Sequence, residues 1–204
     1  MEGTDILKNE SILSAQLDTE ILMSKAINKN REYIILNHDN TLNEENLKYF
    51  KKLVQERATK KPIAYILNKK FFWKNEFYVN KNTLIPRPDT EIIVEQIFKV
   101  TKNKNNLRIL DIGVGSGCIL LSILKEKKSF YGTGIDISKN SLDISIINAK
   151  KLFVDKRVKF FQSDVDKFDQ GKYDLIVSNP PYINRNKIKY LERDVSKFEP
   201  KLAL

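Results

Sequence analysis

Through the first seventy residues apolar side chains recur at helical spacing, and no segment alternates polar with apolar. Leu17, Ile21, Leu22 and Ala26 form one such stripe; Leu47, Phe50, Val54 and Ala58 form another. Thr41, with Glu44 three positions later, gives a capping-box pattern ahead of the second stripe. These spacings predict a bundle of short helices over residues 1–70. Around residue 70 the texture changes. FFWKNEFYVNKNTLIP is aromatic and β-branched with an asparagine-rich break, which predicts a hairpin or linker strands over 71–86. Pro86 and Pro88 then bracket Arg87, and TEIIVEQIFKV regains helical spacing through Ile92, Val94, Ile97 and Val100. Thr90 or Asp89 is the expected N-cap there.

From residue 107 strand and helix patterns alternate. LRILDIG reads as a buried strand and CILLSILKEK as a helix. FYGTGIDI is a second strand, followed by a helix with Leu142, Ile146 and Ala149 on one face. RVKFFQSD and KYDLIVSNPPY are a third and a fourth strand. This rhythm predicts an α/β region, residues 87–204, built on a parallel, doubly wound sheet.

The first strand runs into Asp111-Ile-Gly113-Val114-Gly115-Ser116-Gly117 and then a helix. Glycines at that turn let the backbone approach a ligand at the helix N-terminus. A dinucleotide fingerprint would place its third glycine at position 118, which is Cys118. The spacing therefore disfavours pyrophosphate. Asp136 ends the second strand, where a carboxylate accepts hydrogen bonds from ribose hydroxyls, so loop and acid together suggest an adenosine-type cofactor. Asn179-Pro180-Pro181-Tyr182 closes the fourth strand, at the edge where open α/β sheets bind ligands. The prolines stiffen the chain and leave carbonyls free to accept. The Asn179 side chain and the Pro180 carbonyl offer two acceptors for a planar –NH2 group, and Tyr182 offers a flat surface. Such an amine is a poor nucleophile; two acceptors raise charge on its nitrogen toward an electrophile such as a sulfonium methyl group.

Composition narrows the classes. A single cysteine, Cys118, excludes an internal disulfide, and one histidine, His38 in the polar connection HDNTLN, excludes a histidine metal cluster. No apolar run approaches a membrane span and the first twenty residues lack a secretory pattern, so a cytoplasmic, metal-free protein is expected. The net charge is +10, but residues 1–83 carry 14 basic and 11 acidic side chains and the remainder 22 and 15. The excess is spread, with 29 Lys to 7 Arg, which reads as a solvated, biased surface more than a nucleic-acid footprint.

With the glycine loop, Asp136 and NPPY in that order, the chain resembles class I S-adenosylmethionine-dependent methyltransferases of the amino-methylating type. RATKKPIAYILNKKFFWKNEFYVNKNTLIPRPDTE (57–91) and FEPKLAL (198–204) resemble the HemK/PrmC family, which methylates the glutamine amide in the Gly-Gly-Gln loop of peptide chain release factors. The resemblance implies a helical substrate-recognition domain followed by a Rossmann-like methyltransferase sheet. It implies that Asp111, Gly113, Val114, Gly115, Ser116 and Gly117 bind the methionine part of S-adenosylmethionine, Asp136 its ribose, and Asp164 and Val165 the adenine side. Asn179 would touch cofactor and substrate, with Pro180, Pro181 and Tyr182 completing the glutamine pocket; Asn179, Pro180 and Tyr182 would carry the catalysis. Arg87 either shapes the site or forms a structural ion pair. Val165 stands where some members have a large aromatic residue. The family continues with further strands beyond the position of Leu204, so a sheet incomplete at the C-terminus is expected, with an exposed fourth strand. The implied partner is a release factor, with no nucleic acid or membrane. Two other readings remain: adenine amino-group methylation on nucleic acid, and an inactive remnant that only binds a partner.

Overall fold

The structure, a computed structural model, describes residues 2–182 and 192–204, which divide into two compact units: 2–67 with 192–198, and 68–182 with 199–204. The first unit is helical: α1 (Glu2–Asn9), α2 (Ala15–Ile27), α3 (Arg31–Leu36), α4 (Glu44–Ala58) and α5 (Ile63–Leu67). Its core joins Leu7, Ile12, Leu22, Phe50, Leu53, Val54 and Ile66.

The helices fall where the spacing placed them, and Leu22, Ala26, Phe50 and Val54 are buried as expected, but the first member of each stripe is exposed and polar residues join the buried face. Leu17 is 44% exposed while Asp18 and Thr19 are buried; Leu47 is exposed while Leu53 and Arg57 are buried. The reason is an ion pair inside the bundle. Arg57 Nε lies 2.6 Å from Asp18 Oδ2, pulling both side chains inward. The capping box is also displaced. Asn43, directly before α4, accepts from the Asn46 N–H at 2.8 Å, so Glu44 is already the first helical residue. Asn30 caps α3 in the same way through the Tyr33 N–H.

The second unit opens with the expected hairpin, β1 (Lys69–Phe72) antiparallel to β2 (Asn75–Tyr78). Trp73 at its turn has φ 54° and packs on Phe98, with ring centroids 5.6 Å apart. A 3-10 turn at Pro88–Thr90 runs directly into α6 (Glu91–Val100). Because the turn precedes the helix, Thr90 already has helical angles and caps nothing with its side chain. In α6, Val94 and Ile97 are buried, whereas Ile92 and Val100 are exposed.

The four strands of the main sheet are β3 (Arg108–Ile112), β4 (Tyr131–Asp136), β5 (Val158–Gln162) and β6 (Leu175–Ser178). All pair in parallel, in the order β5-β4-β3-β6. That order reverses between β3 and β6, which creates a switch-point crevice at their carboxyl ends. Helix α7 (Cys118–Glu126) links β3 to β4, and α8 (Lys139–Lys151) links β4 to β5. Both join α6 in one core with Ile109 and Val177, alternate positions that share a sheet face. Leu120, Leu121, Ile123 and Leu124 are fully buried, each contributing roughly 1.5–3 kcal/mol relative to exposure. On α8, Leu142 and Ala149 are buried as expected, but Ile146 is 38% exposed and its place on the inner face is taken by Ser145 and Asn148. Among the described residues β6 is an outer strand, with Ile176 exposed. Beyond Phe198, the C-terminal member of α9 (Arg193–Phe198), the chain re-enters the second unit at Glu199.

Candidate active site

Three loops meet at the carboxyl end of the sheet because β3, β4 and β6 are adjacent and parallel there. The turn after β3 is the glycine loop. Gly113, Gly115 and Gly117 have φ of 75°, 55° and 80°, the left-handed region that side chains disfavour. At Gly113 a Cβ would meet nothing within 4 Å, so backbone faces open space; at Gly117 it would sit 2.7 Å from Leu121 Cδ1. Gly113 thus gives access, and Gly117 lets α7 start tightly. The loop is held from outside by α8. Ser145 Oγ donates to the Gly115 carbonyl at 2.8 Å, and Asn148 Nδ2 to the Ser116 carbonyl at 2.8 Å.

Asp136, at the end of β4, accepts the Gly115 N–H at 3.0 Å through Oδ2 and the Ser138 N–H at 2.9 Å through Oδ1. Each carboxylate oxygen has a second lone pair, so the side chain is braced and still able to accept two hydroxyls. Asp164 caps the short 3-10 turn Val165–Lys167 by accepting the Asp166 N–H. Val165 is half exposed.

A cavity of about 350 Å³ brings these groups together: Asp111, Gly113, Val114, Gly115, Ser116, Asp136, Asp164, Val165, Asn179 and Pro181 all line it. Gly117, Pro180 and Tyr182 do not, and Tyr182 is 82% exposed. The opposite wall comes from residues 82–90 and 200–203, including Leu84, Pro86, Arg87, Thr90 and Leu202. Nothing in the chain's periodicity marked these as site residues. Four polar contacts organise this wall. Ser141 Oγ donates to the Asn82 carbonyl, Glu199 accepts both the Ile85 N–H at 3.1 Å and the Arg87 guanidinium at 2.5 Å, and Asn179 Nδ2 lies 3.4 Å from Thr90 Oγ1. Arg87 therefore does both things the sequence left open: it pairs with buried Glu199 and lines the cavity.

The electrostatics favour a cationic ligand. Asp136 and Asp164 line the cavity, while its guanidinium is paired with Glu199. Burial pushes the Asp111 carboxyl up from 3.8 to about 7, opposed by the Leu120 N–H it accepts and reinforced by the Asp136 charge. That N–H belongs to the first turn of α7, so Asp111 ties β3 to the helix that follows. A raised folded value means the folded chain holds an extra proton between pH 3.8 and about 7. The stabilising contribution of this proton is complete below the unfolded value and lost as pH rises through about 7. In urea unfolding across that window, Asp111→Asn is expected to flatten the fall of stability with pH, by at most about 1.4 kcal/mol per pH unit. Identical slopes in both proteins would show that Asp111 is already ionised. Burial likewise drives the Cys118 thiol up to about 12, keeping it protonated and inert.

A larger cavity, about 900 Å³, lies in the helical unit and is lined by Met23, Ile27, Tyr33, Phe50 and His38 among others. Its histidine is mostly exposed beside Asp39, as expected of a loop residue. Among the described residues no group of acids, histidines and cysteine is arranged to hold a metal, and no helix is long and apolar enough to cross a membrane.

Comparison with known proteins follows the same division. Residues 1–67 match the PrmC N-terminal domain, and residues 88–194 the methyltransferase small domain. The release factor glutamine methyltransferase of Leptospira interrogans is 38% identical over 207 residues, covering 100% of this chain and 72% of that protein. Its counterpart from Buchnera aphidicola (subspecies Acyrthosiphon pisum) is 40% identical over 98% of this chain and 71% of its own length. A bifunctional methyltransferase of Rickettsia conorii is 36% identical, and this chain spans 44% of it. The methyltransferase domain implies S-adenosylmethionine as cofactor, and the acidic cavity, the open glycine backbone and the braced Asp136 fit that cation. With both domains matched and such identity across more than two thirds of full-length relatives, the chain belongs to the release factor glutamine methyltransferase family.

Proposed function

We propose that this chain directs a methyl group from S-adenosylmethionine onto the side-chain amide nitrogen of the glutamine in the Gly-Gly-Gln loop of peptide chain release factors. The observation that carries the reading is the convergence of the glycine loop, Asp136, Asp164, Asn179 and Pro181 on one cavity at the sheet's switch point. The cofactor, when bound, supplies a methyl group already activated on a sulfonium sulfur. The Gly113–Gly117 loop would hold its methionine part, Asp136 its ribose, and Asp164 with Val165 its adenine side. Asn179 Oδ1 and the Pro180 carbonyl accept the two amide hydrogens, raising electron density on a nitrogen that resonance makes sluggish. The diproline keeps those acceptors from moving. The amide nitrogen would gain CH3 as the carbon–sulfur bond opens with its electron pair left on sulfur as a neutral thioether, and would lose one proton to bulk water. Tyr182, exposed here, packs on the substrate's flat amide. Residues 1–70 serve as the substrate-recognition domain, 71–86 as hairpin and linker, and 87–204 as the methyltransferase domain. The setting for translation termination factors is cytoplasmic.

The basic excess is spread along both halves of the chain and carried mostly by lysine, which counts against adenine methylation on a polyphosphate substrate, where a focused basic face is needed. The deciding experiment incubates the chain with labelled S-adenosylmethionine and a release factor. Label is expected in the factor and is expected to vanish when the Gly-Gly-Gln glutamine is replaced. Label that survives the replacement, or that enters naked DNA or RNA instead, overturns the assignment.

A further inference from the structure

An asparagine that serves as an acceptor faces a symmetry problem. Its Oδ1 and Nδ2 occupy nearly the same shape, so a half-turn of the amide would present a donor to the substrate's own N–H bonds. In the Asn-Pro-Pro-Tyr loop the end that must accept is Oδ1, so Nδ2 needs an acceptor of its own away from the substrate.

The geometry points to Thr90 as that acceptor: we infer that its hydroxyl is a positioning group that holds the Asn179 amide by accepting from Nδ2. The inference rests on the reading of Asn179 as the acceptor for the substrate amide. Three observations support it. Thr90 Oγ1 is 3.4 Å from Asn179 Nδ2, across an interval of 89 residues in sequence, and both residues line the same cavity. The hydroxyl is not spent on the helix, because Thr90 has φ −69°, ψ −18° and makes no side-chain cap bond to α6. Its own position is fixed. Pro88 sets the 3-10 turn, the Thr90 N–H bonds the Arg87 carbonyl at 3.1 Å, and Arg87 is tied to Glu199, whose side chain is 1% exposed. The β-branched side chain narrows χ1 to two favoured rotamers. Glu199, a buried carboxylate that also accepts the Ile85 N–H, thereby acts through the turn on a residue across the cavity.

The test compares wild type with Thr90→Val, which keeps the shape and removes the hydroxyl, and Thr90→Ser, which restores it. With release factor as substrate, Thr90→Val is expected to lower kcat by roughly 5–20-fold, the worth of one hydrogen bond, with a smaller effect on S-adenosylmethionine affinity than on kcat. Thr90→Ser is expected to recover most of the loss. In parallel, the side-chain 15N–1H2 resonances of Asn179 are followed in all three proteins; in Thr90→Val they are expected to shift and to exchange faster with water. Unchanged kcat together with unchanged Asn179 resonances overturns the inference, as does a loss that serine fails to restore. If wild type itself methylates no release factor, the functional reading fails, and the resonances alone decide whether Thr90 holds the amide. Should Thr90→Val unfold, Thr90→Cys, of similar size but a weaker acceptor, carries the same comparison.

Discussion

Replacing Asn179 with alanine is expected to lower methyl transfer to a release factor by roughly 10²–10³-fold, the usual cost of deleting one preorganised group aimed at developing charge. The carboxamide substrate has no lone pair ready to attack. Whatever raises electron density on its nitrogen must be present before the methyl group arrives, and must not need to reorient. Asn179 meets both conditions: it stands at the end of β6, directly before two prolines, and its Nδ2 is directed at Thr90. The same substitution leaves the glycine loop and Asp136 intact, since they are braced by Ser145, Asn148 and the Gly115 and Ser138 N–H groups, none of which touches Asn179. The loss in cofactor affinity is therefore expected to stay within one neutral hydrogen bond, about 0.5–1.5 kcal/mol. Rate and binding are separated by pairing single-turnover methylation with calorimetric titration of S-adenosylmethionine. An alanine variant that turns over like wild type would remove the acceptor role altogether, and one that fails only in binding cofactor would reassign the residue.

How much of this was legible in the chain follows from the range of the interactions involved. The strands were, because each is a short apolar run ending near a glycine, an acid or the Asn-Pro-Pro turn, and their order of appearance with intervening helices admits few topologies. The glycine loop, Asp136 and Asn179 were placed at the cavity correctly, because a tight turn and a carboxylate or carboxamide at a strand end leave local marks. The cavity's second wall was not. Thr90 looks like an N-cap, and only the 3-10 turn imposed by Pro88 shows that it is free for another use. Glu199 looks like a surface acid near a chain end, yet it is buried against Arg87, 112 residues away. Ser145 and Asn148 interrupt the apolar face of α8 and read as solvent positions, whereas they hold loop carbonyls that the glycines leave exposed. A buried polar residue is invisible to periodicity because its partner lies elsewhere in sequence. The buried polar members of the helical faces in the first unit, Asp18 and Arg57, were missed for the same reason.

That pair sets the second large effect. Arg57→Ala is expected to destabilise the helical unit by about 3–5 kcal/mol, the range for stripping one partner from a buried ion pair. Arg57 is held by Asp18 at 2.6 Å, by the Lys61 carbonyl at 3.1 Å and by Asp194 at 3.0 Å, and the Arg57 and Asp18 side chains are 8% and 4% exposed. Alanine would leave the Asp18 carboxylate in the bundle without its cation, next to Thr19 and Leu22 in the buried face of α2. It would also release Asp194 and with it the anchor of α9 within this unit. Truncation alone does not measure what the pair contributes, because most of the penalty comes from the charge left behind. The double replacement Asp18→Leu with Arg57→Met removes both charges at similar volume and is expected to recover most of the loss. Urea unfolding of the whole chain, followed by helical circular dichroism, reads both variants. If Arg57→Ala unfolds at the wild-type midpoint, the carboxylate has found water and the pair is not buried in solution. If the double variant is as weak as the single one, the network's value lies in Asp194 and the Lys61 carbonyl, and the helical unit is held by its contact with α9 more than by the Asp18 charge.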